Sequence, residues 1–403
     1  MNDYPAQQQF ALKSPPFRRF LYGSFFVRCS DWMDLTILNW IVYEWTHSPL
    51  SLGILNACRL IPVFLFSLYA GGVADKYNRR QSLLVIYSGM LVSTLFIAFI
   101  IGEQASFILL LSAITVRSVL MSFEVPIRNA WLADLVPGSM LGSAITLQTT
   151  SINVARMVGP AFAGVLLGYF AASNIMLWVS AGTLLVIFTL LTVPGDQENT
   201  EQGKKRESKS IKDTIQYIIG QPGILAVLLV AIAPMIFGFP YTTMLPIFSK
   251  ELMNLGSAGF GFLLSISSLG AITATGLLAF RQPVMGGRWL IVSTLAFGTS
   301  LVLFTTFSGF YLASAGLMFL IGFTSQYYRT LSRIMIQIKV DGEYRGRVLS
   351  IALMDRGYIP LGSLFIGWIA SSFDAYVAGL SMGLGTILFT ILIVRSNRYL
   401  WKE

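Results

Sequence analysis

Gly71-Gly72-Val73-Ala74-Asp75-Lys76-Tyr77-Asn78-Arg79-Arg80 sets a glycine pair, one acid and three bases between two long apolar runs. Such a cluster is poorly solvated in hydrocarbon, so the chain leaves a bilayer here, and the bases mark the cytoplasmic side. The surrounding sequence has the composition of a polytopic membrane protein. Of its 403 residues, 55% are hydrophobic and 12% charged, with a mean hydropathy of +0.68. Soluble domains carry about twice that share of charge.

Twelve apolar segments are each long enough to cross about 30 Å of hydrocarbon as a helix. They run over 18–46, 49–74, 82–102, 105–127, 141–169, 173–194, 222–248, 257–280, 288–307, 310–332, 347–371 and 375–396. With both termini inside, twenty-two of the 28 Lys and Arg fall on cytoplasmic segments, Arg128, Arg329 and Arg333 among them, and only Lys250 outside. That asymmetry supports the even helix count. The net charge of +9 is therefore a topology signal and calls for no nucleic acid partner. A polar, charged stretch divides the chain, giving a six-helix bundle over 1–195, a cytoplasmic linker over 196–213 and a second six-helix bundle over 214–403. Faint repetition agrees with two related halves: Arg156-x-x-x-Pro160 recurs as Arg356-x-x-x-Pro360.

Several function classes lack their chemistry. The single histidine, His47, sits at an external helix end, which leaves no histidine relay or histidine metal cluster. Cys29 and Cys58 lie inside helices without metal spacing. No GxxxxGK[ST] is present, which argues against a nucleotide-driven pump in this polypeptide. Nucleophile–base pairs are also missing, so an enzyme is not expected. The first seventeen residues are polar, and the apolar run that follows is too long for a signal peptide.

The order G-x-x-x-D-[RK]-x-x-R-R after the second apolar segment resembles the loop between the second and third helices of major facilitator superfamily transporters. In the fifth segment, Arg156-Met157-Val158-Gly159-Pro160-Ala161-Phe162-Ala163-Gly164 resembles the G-P-x-x-G-G signature of that superfamily's exporters, with Ala163 in place of one glycine. Asp31-Trp32, Arg59-Leu60-Ile61-Pro62, Pro126-Ile127-Arg128-Asn129-Ala130 and Arg345-Gly346-Arg347 resemble the branch of enterobactin-type siderophore exporters and macrolide efflux proteins. The resemblance implies an all-α fold of two six-helix bundles related by a pseudo-two-fold repeat. It also implies that Gly72, Asp75, Arg79 and Arg80 form a conformational latch, with Asp75 at a helix N-terminus and the arginines on neighbouring acids. Gly159, Pro160 and Gly164 would be the exporter motif. Their residue types also suit a plain tight helix contact with a bend.

Charges inside the apolar segments are the remaining signal, because ionisable groups are expensive in hydrocarbon. A rise of about 1.5 Å per residue places Asp31, Asp34, Arg59, Arg117 and Arg156 near mid-membrane in the first half. Arg28 lies one turn from Asp31 and can pair with it at i,i+3. The expected proton-coupling groups are Asp31, Asp34 and Arg117, with Asp355 in the second half. Arg28, Arg59, Arg156 and Arg356 would form the substrate charge cluster. Glu124 and Arg128 read as a structural pair at a helix end. Arginines outnumber acids at mid-membrane, which favours an anionic substrate. A static ion-pair set that only fixes packing is the competing reading.

The function expected is secondary active export of a small amphipathic molecule by proton antiport, siderophore-like ahead of macrolide-like. A proton gradient would drive it without a cofactor. The working unit would be a monomer in the cytoplasmic membrane of a bacterium, with both termini inside. A proton-coupled importer, a lipid transporter and a non-transporting receptor or scaffold are the alternatives.

Overall fold

A computed structural model of the chain describes residues 10–193, 211–280 and 286–396, without the side chains of 67, 68, 70–76, 211, 212, 279, 280, 342, 345 and 356. The central linker thus lies almost wholly outside the described residues. The first half of the chain holds α1 (Pro15–Thr46), α2 (Pro49–Lys76), α3 (Arg79–Gly102), α4 (Phe107–Asp134), α5 (Leu141–Leu166) and α6 (Ala172–Thr192). After the linker come a short α7 (Ile211–Gly220) and a run made of α8 (Pro222–Ala233), a π turn (Pro234–Gly238), α9 (Tyr241–Ile247) and a second π turn (Phe248–Leu252). Next are α10 (Ser257–Phe280), α11 (Gly287–Thr306) and α12 (Tyr311–Lys339). The next run is α13 (Gly342–Leu353), a 3₁₀ turn (Met354–Gly357) and α14 (Tyr358–Ser372), and α15 (Ala375–Ser396) closes the described chain.

Counting each interrupted run once, and setting the short α7 aside, the described residues form twelve long rods, as the hydropathy pattern predicts. Nine stretches among the described residues are long and apolar enough to cross a membrane by length and composition alone. The other three rods are α1, α5 and α12, of 32, 26 and 29 residues. α1 and α12 bear several charges, and α5 is rich in Ser, Thr and Asn. Large apolar side chains such as Val85, Ile108 and Leu312 point outward, which suits a hydrocarbon surround.

Two helices run past their apolar segments. α4 continues to Asp134 and α12 to Lys339. Arg128, Arg329 and Arg333 are the arginines expected in cytoplasmic segments near these two ends. All three stand on helices, and Arg128 is buried.

The chain divides into two compact units: Met1–Ile41 with Cys58–Gln202, and Val42–Ala57 with Gly203–Glu403. In the first, Phe17, Phe20, Leu83, Tyr87, Ile127, Trp131, Val186 and Leu190 form one buried apolar cluster. Phe20 meets Trp131 edge to face at 5.1 Å. The second unit includes the tip of the α1–α2 hairpin. There Leu50 N donates to Ser371 Oγ at 3.0 Å. Lys250 Nζ pairs with Glu44 Oε1 at 2.8 Å, and the Tyr43 hydroxyl donates to Glu251. α10 and α12 cross at Gly270 and Gly322, where a Cβ on either glycine would enter the other helix's backbone.

Candidate functional site

Arg28, Asp31 and Asp34 recur every three residues on α1, so they share one face of that helix. α2, α3 and α4 supply their partners. Asp34 is 2% exposed and receives both arms of Arg117 from α4, with Nη1 to Oδ1 at 2.8 Å and Nη2 to Oδ2. Arg59 of α2 lies 3.0 Å from the same Oδ2, and Thr94 of α3 accepts a further bond from Arg117 at 3.4 Å. A carboxylate gripped by two guanidiniums has most of its lone pairs filled, and such charge-assisted bonds are the strong ones.

Two turns further along α4 lies a second node. The Glu124 side chain is 1% exposed and takes Arg28 Nη2 at 2.5 Å, Arg128 Nε at 2.9 Å and the Tyr87 hydroxyl at 2.6 Å. Asp31 lies between the two nodes. Its side chain is 20% exposed, and its Oδ2 stands 2.8 Å from Arg28 Nη1 in a geometry short of a hydrogen bond. Among the described residues, Arg28 is the ion-pair partner of Asp31 as well as of Glu124.

Of the expected charges, Arg28, Asp31, Asp34, Arg59 and Arg117 are thus brought together in the first unit, and three further residues join them. Glu124 and Arg128 belong to the network rather than to a separate pair at a helix end. Tyr87, an aromatic residue among many in the sequence, ties α3 to that node. Arg156, on α5, has its guanidinium 5.4 Å from the centre of the Trp32 ring. The Gly159 backbone explains how it gets there. A Cβ at Gly159 would lie 2.8 Å from Trp32 Cβ and 3.0 Å from the Cys29 carbonyl oxygen, so α5 reaches α1 this closely only with glycine. Pro160 and Gly164 of the same motif are buried.

Of the latch residues, the side chains of Gly72 and Asp75 lie outside the described ones. Arg79 grips both oxygens of Asp134 at 2.7 and 2.6 Å. Arg80 donates to the carbonyls of Leu190 and Leu191 at 2.8 and 3.0 Å, main-chain acceptors where an acid was expected. Arg19 meets the carbonyl of Thr192 at 2.9 Å. Two arginines thus cover the C-terminal carbonyls of α6, which have no partners of their own in the helix.

In the second unit, Asp355 lies on the 3₁₀ turn that breaks the eleventh rod, and the Arg356 side chain is outside the described ones. Arg329 of α12 lies over the Phe239 ring at 5.1 Å.

The sequence was compared with known proteins. A family model described as transmembrane secretion effector matches residues 9–402. The staphyloferrin A transporter of Staphylococcus aureus (strain NCTC 8325 / PS 47) is 31% identical over 388 residues, covering 94% of this chain and 96% of the relative. Macrolide efflux protein A of Streptococcus pyogenes is 22% identical over 365 residues, 87% of this chain and 88% of the relative. Among solved structures, a bacterial homologue of the human lysosomal transporter Spinster, in an inward-facing and unoccupied conformation, superposes with a TM-score of 0.76. It shares 14% identity over 96% of this chain and 98% of that one, a likeness of fold.

Proposed function

From the premise that this chain belongs to the transmembrane secretion effector family of the major facilitator superfamily, and so is a membrane transporter, we propose that it exports a small anionic, amphipathic molecule against proton entry. The buried network of the first unit carries this reading. Arg28, Arg59, Arg117 and Arg128 stand against Asp31, Asp34 and Glu124, an excess of one positive charge. Buried charge on that scale is costly unless it is used or fully paired.

The network also separates the two candidate proton groups. Protonating Asp34 would break the two-pronged Arg117 contact and the Arg59 pair. Protonating Asp31 would loosen one contact of Arg28, which keeps Glu124. Asp31 is also the more accessible of the two. It is the proposed proton carrier, and Asp34 is the fixed counter-charge that holds Arg117 and Arg59 in place. A siderophore-like polycarboxylate or catecholate suits the cationic excess better than a macrolide does.

A second reading is favoured by the double duty of Arg28. An anion drawn to Arg28 would take it from Asp31 and so promote protonation of that acid. Proton and anion would then bind together, which is the logic of symport. Antiport requires the substrate anion to be held elsewhere, leaving Arg28 with Asp31.

Proteoliposomes carrying a pH-sensitive dye and an imposed proton gradient separate the readings. With a candidate siderophore, substrate-dependent proton flux opposite to substrate movement is expected for the wild type. Asp31→Asn should abolish coupled flux, whereas Asp34→Asn should lower the amount of folded protein first. Flux in the same direction as the substrate would replace export by symport. Full coupling in Asp31→Asn would remove Asp31 from the mechanism.

A further inference from the structure

Arg329 and Arg333 lie one helical turn apart on α12, at i and i+4, so their guanidiniums share a face. Like charges at that spacing repel, and nothing in helix formation requires the pair. Both side chains are half-buried. Among the described residues, Arg329 Nε and one terminal nitrogen of Arg333 are shielded from solvent and meet no hydrogen-bond acceptor. Beside them, Tyr328 is 1% exposed and its hydroxyl is likewise buried, with no hydrogen-bond partner among the described residues. These groups feel one another. The surroundings of the Tyr328 hydroxyl include Arg329, Asp355 and Arg333, and those of Arg333 include Arg329, Asp355 and Tyr328.

Apolar walls complete the place. Arg329 lies over the Phe239 ring, Phe239 neighbours the Tyr328 ring at 6.3 Å, and Phe297 stacks on Tyr328 at 6.2 Å. The backbone is irregular on two sides. Phe239 directly follows the π turn Pro234–Gly238, and Asp355 lies on the 3₁₀ turn Met354–Gly357. Membrane helices lose their regular ladder chiefly at functional positions, and interrupted helices commonly flank transported ions and substrates.

We propose that Tyr328, Arg329 and Arg333, walled by Phe239, form an anion subsite of the second unit that takes a carboxylate of the transported molecule. Two guanidiniums on one helix face match the two oxygens of a carboxylate, and a phenol hydroxyl supplies a third donor. The aromatic wall accepts the apolar part of an amphipathic substrate. This inference deepens the export reading and rests on it for the identity of the anion as substrate. It also supplies what antiport needs, an anion held away from Arg28.

Citrate is the probe, measured by calorimetry on the full chain in phosphatidylcholine nanodiscs. Wild type is expected to bind it, and Arg329→Gln and Arg333→Gln each to weaken binding roughly 10- to 100-fold, the loss of one charge-assisted contact. Tyr328→Phe should weaken it about 3- to 10-fold, the loss of one neutral donor. Arg329→Lys and Arg333→Lys keep the charge and should stay within about tenfold of wild type, which covers the case in which the glutamine variants do not fold. Citrate binding unaffected by both arginine substitutions, or no citrate binding by wild type, overturns the subsite. Binding that disappears when phosphatidylglycerol replaces phosphatidylcholine assigns the arginines to a lipid headgroup and overturns it too. Proton flux is read separately. Arginine-dependent citrate binding without coupled flux leaves the subsite standing and removes the export reading, and the reverse result does the opposite.

Discussion

Arg28 serves Asp31 and Glu124 at once, and the two acids depend on it unequally. Glu124 is closed off, with Arg128 and Tyr87 as further partners, so Glu124→Gln would leave two buried guanidiniums short of counter-charge. Breaking one side of a buried ion pair costs about 3–5 kcal/mol. Thermal unfolding in detergent should therefore show a larger drop for Glu124→Gln than for Asp31→Asn. Equal drops would mean that Glu124 is not the anchor. The i,i+3 spacing of Arg28 and Asp31 was legible in the sequence, because one helix determines it. The role of Glu124 was not. Depth along a helix follows from counting residues, whereas the direction a side chain faces depends on how neighbouring helices are rotated. Tyr87 was hidden for the same reason: a tyrosine in an apolar run becomes a ligand only when α3 turns it toward α4.

For the elements, the apolar pattern located every long rod to within a few residues except at two C-terminal ends. α4 and α12 continue into charged sequence that hydropathy reads as loop. The first residue past each expected end is an arginine, Arg128 ion-paired with Glu124 and Arg333 on α12, and a hydropathy window penalises both. The short α7 was not among the apolar segments, and only its first three residues fall in the expected linker; its Tyr217 packs flat on Tyr344 of α13 at 4.2 Å and donates to Asp341 at 3.0 Å. The exporter motif was legible as a close helix contact, but its partner was not. Gly159→Val should push α5 away from α1, lift Arg156 off Trp32 and cost about 1–3 kcal/mol by overpacking. Tryptophan emission and the unfolding midpoint read both effects. A variant with wild-type emission and stability would mean that the contact tolerates a side chain, and the motif would need another explanation.

Across the whole molecule, the charge asymmetry of the sequence implies one orientation, with Lys13, Arg18, Arg19, Arg79 and Arg80 on the cytoplasmic side. The orientation it implies is directly testable. A cysteine replacing Ser48, beside His47 at the α1–α2 tip, should react with a membrane-impermeant maleimide on intact cells, in a background where Cys29 and Cys58 are replaced by serine. A cysteine at Asn78 should react only after permeabilisation. Reversed labelling would invert the topology and with it the direction of transport.

The interrupted rods have a mechanical consequence. A continuous helix is stiff because each peptide group is bonded along the axis, and a turn that changes the bonding step is a compliant joint. Among the described residues, the π turns at Pro234–Gly238 and Phe248–Leu252 and the 3₁₀ turn at Met354–Gly357 all belong to the second unit. The first unit instead ties α1 to α2 and α4, and α3 to α4, with ion pairs and hydrogen bonds. One half is braced by charge and the other is jointed. Amide hydrogen exchange beside the three joints should outpace exchange at equal depth in α1 and α4, so elastic deformation during transport would be concentrated in the second unit.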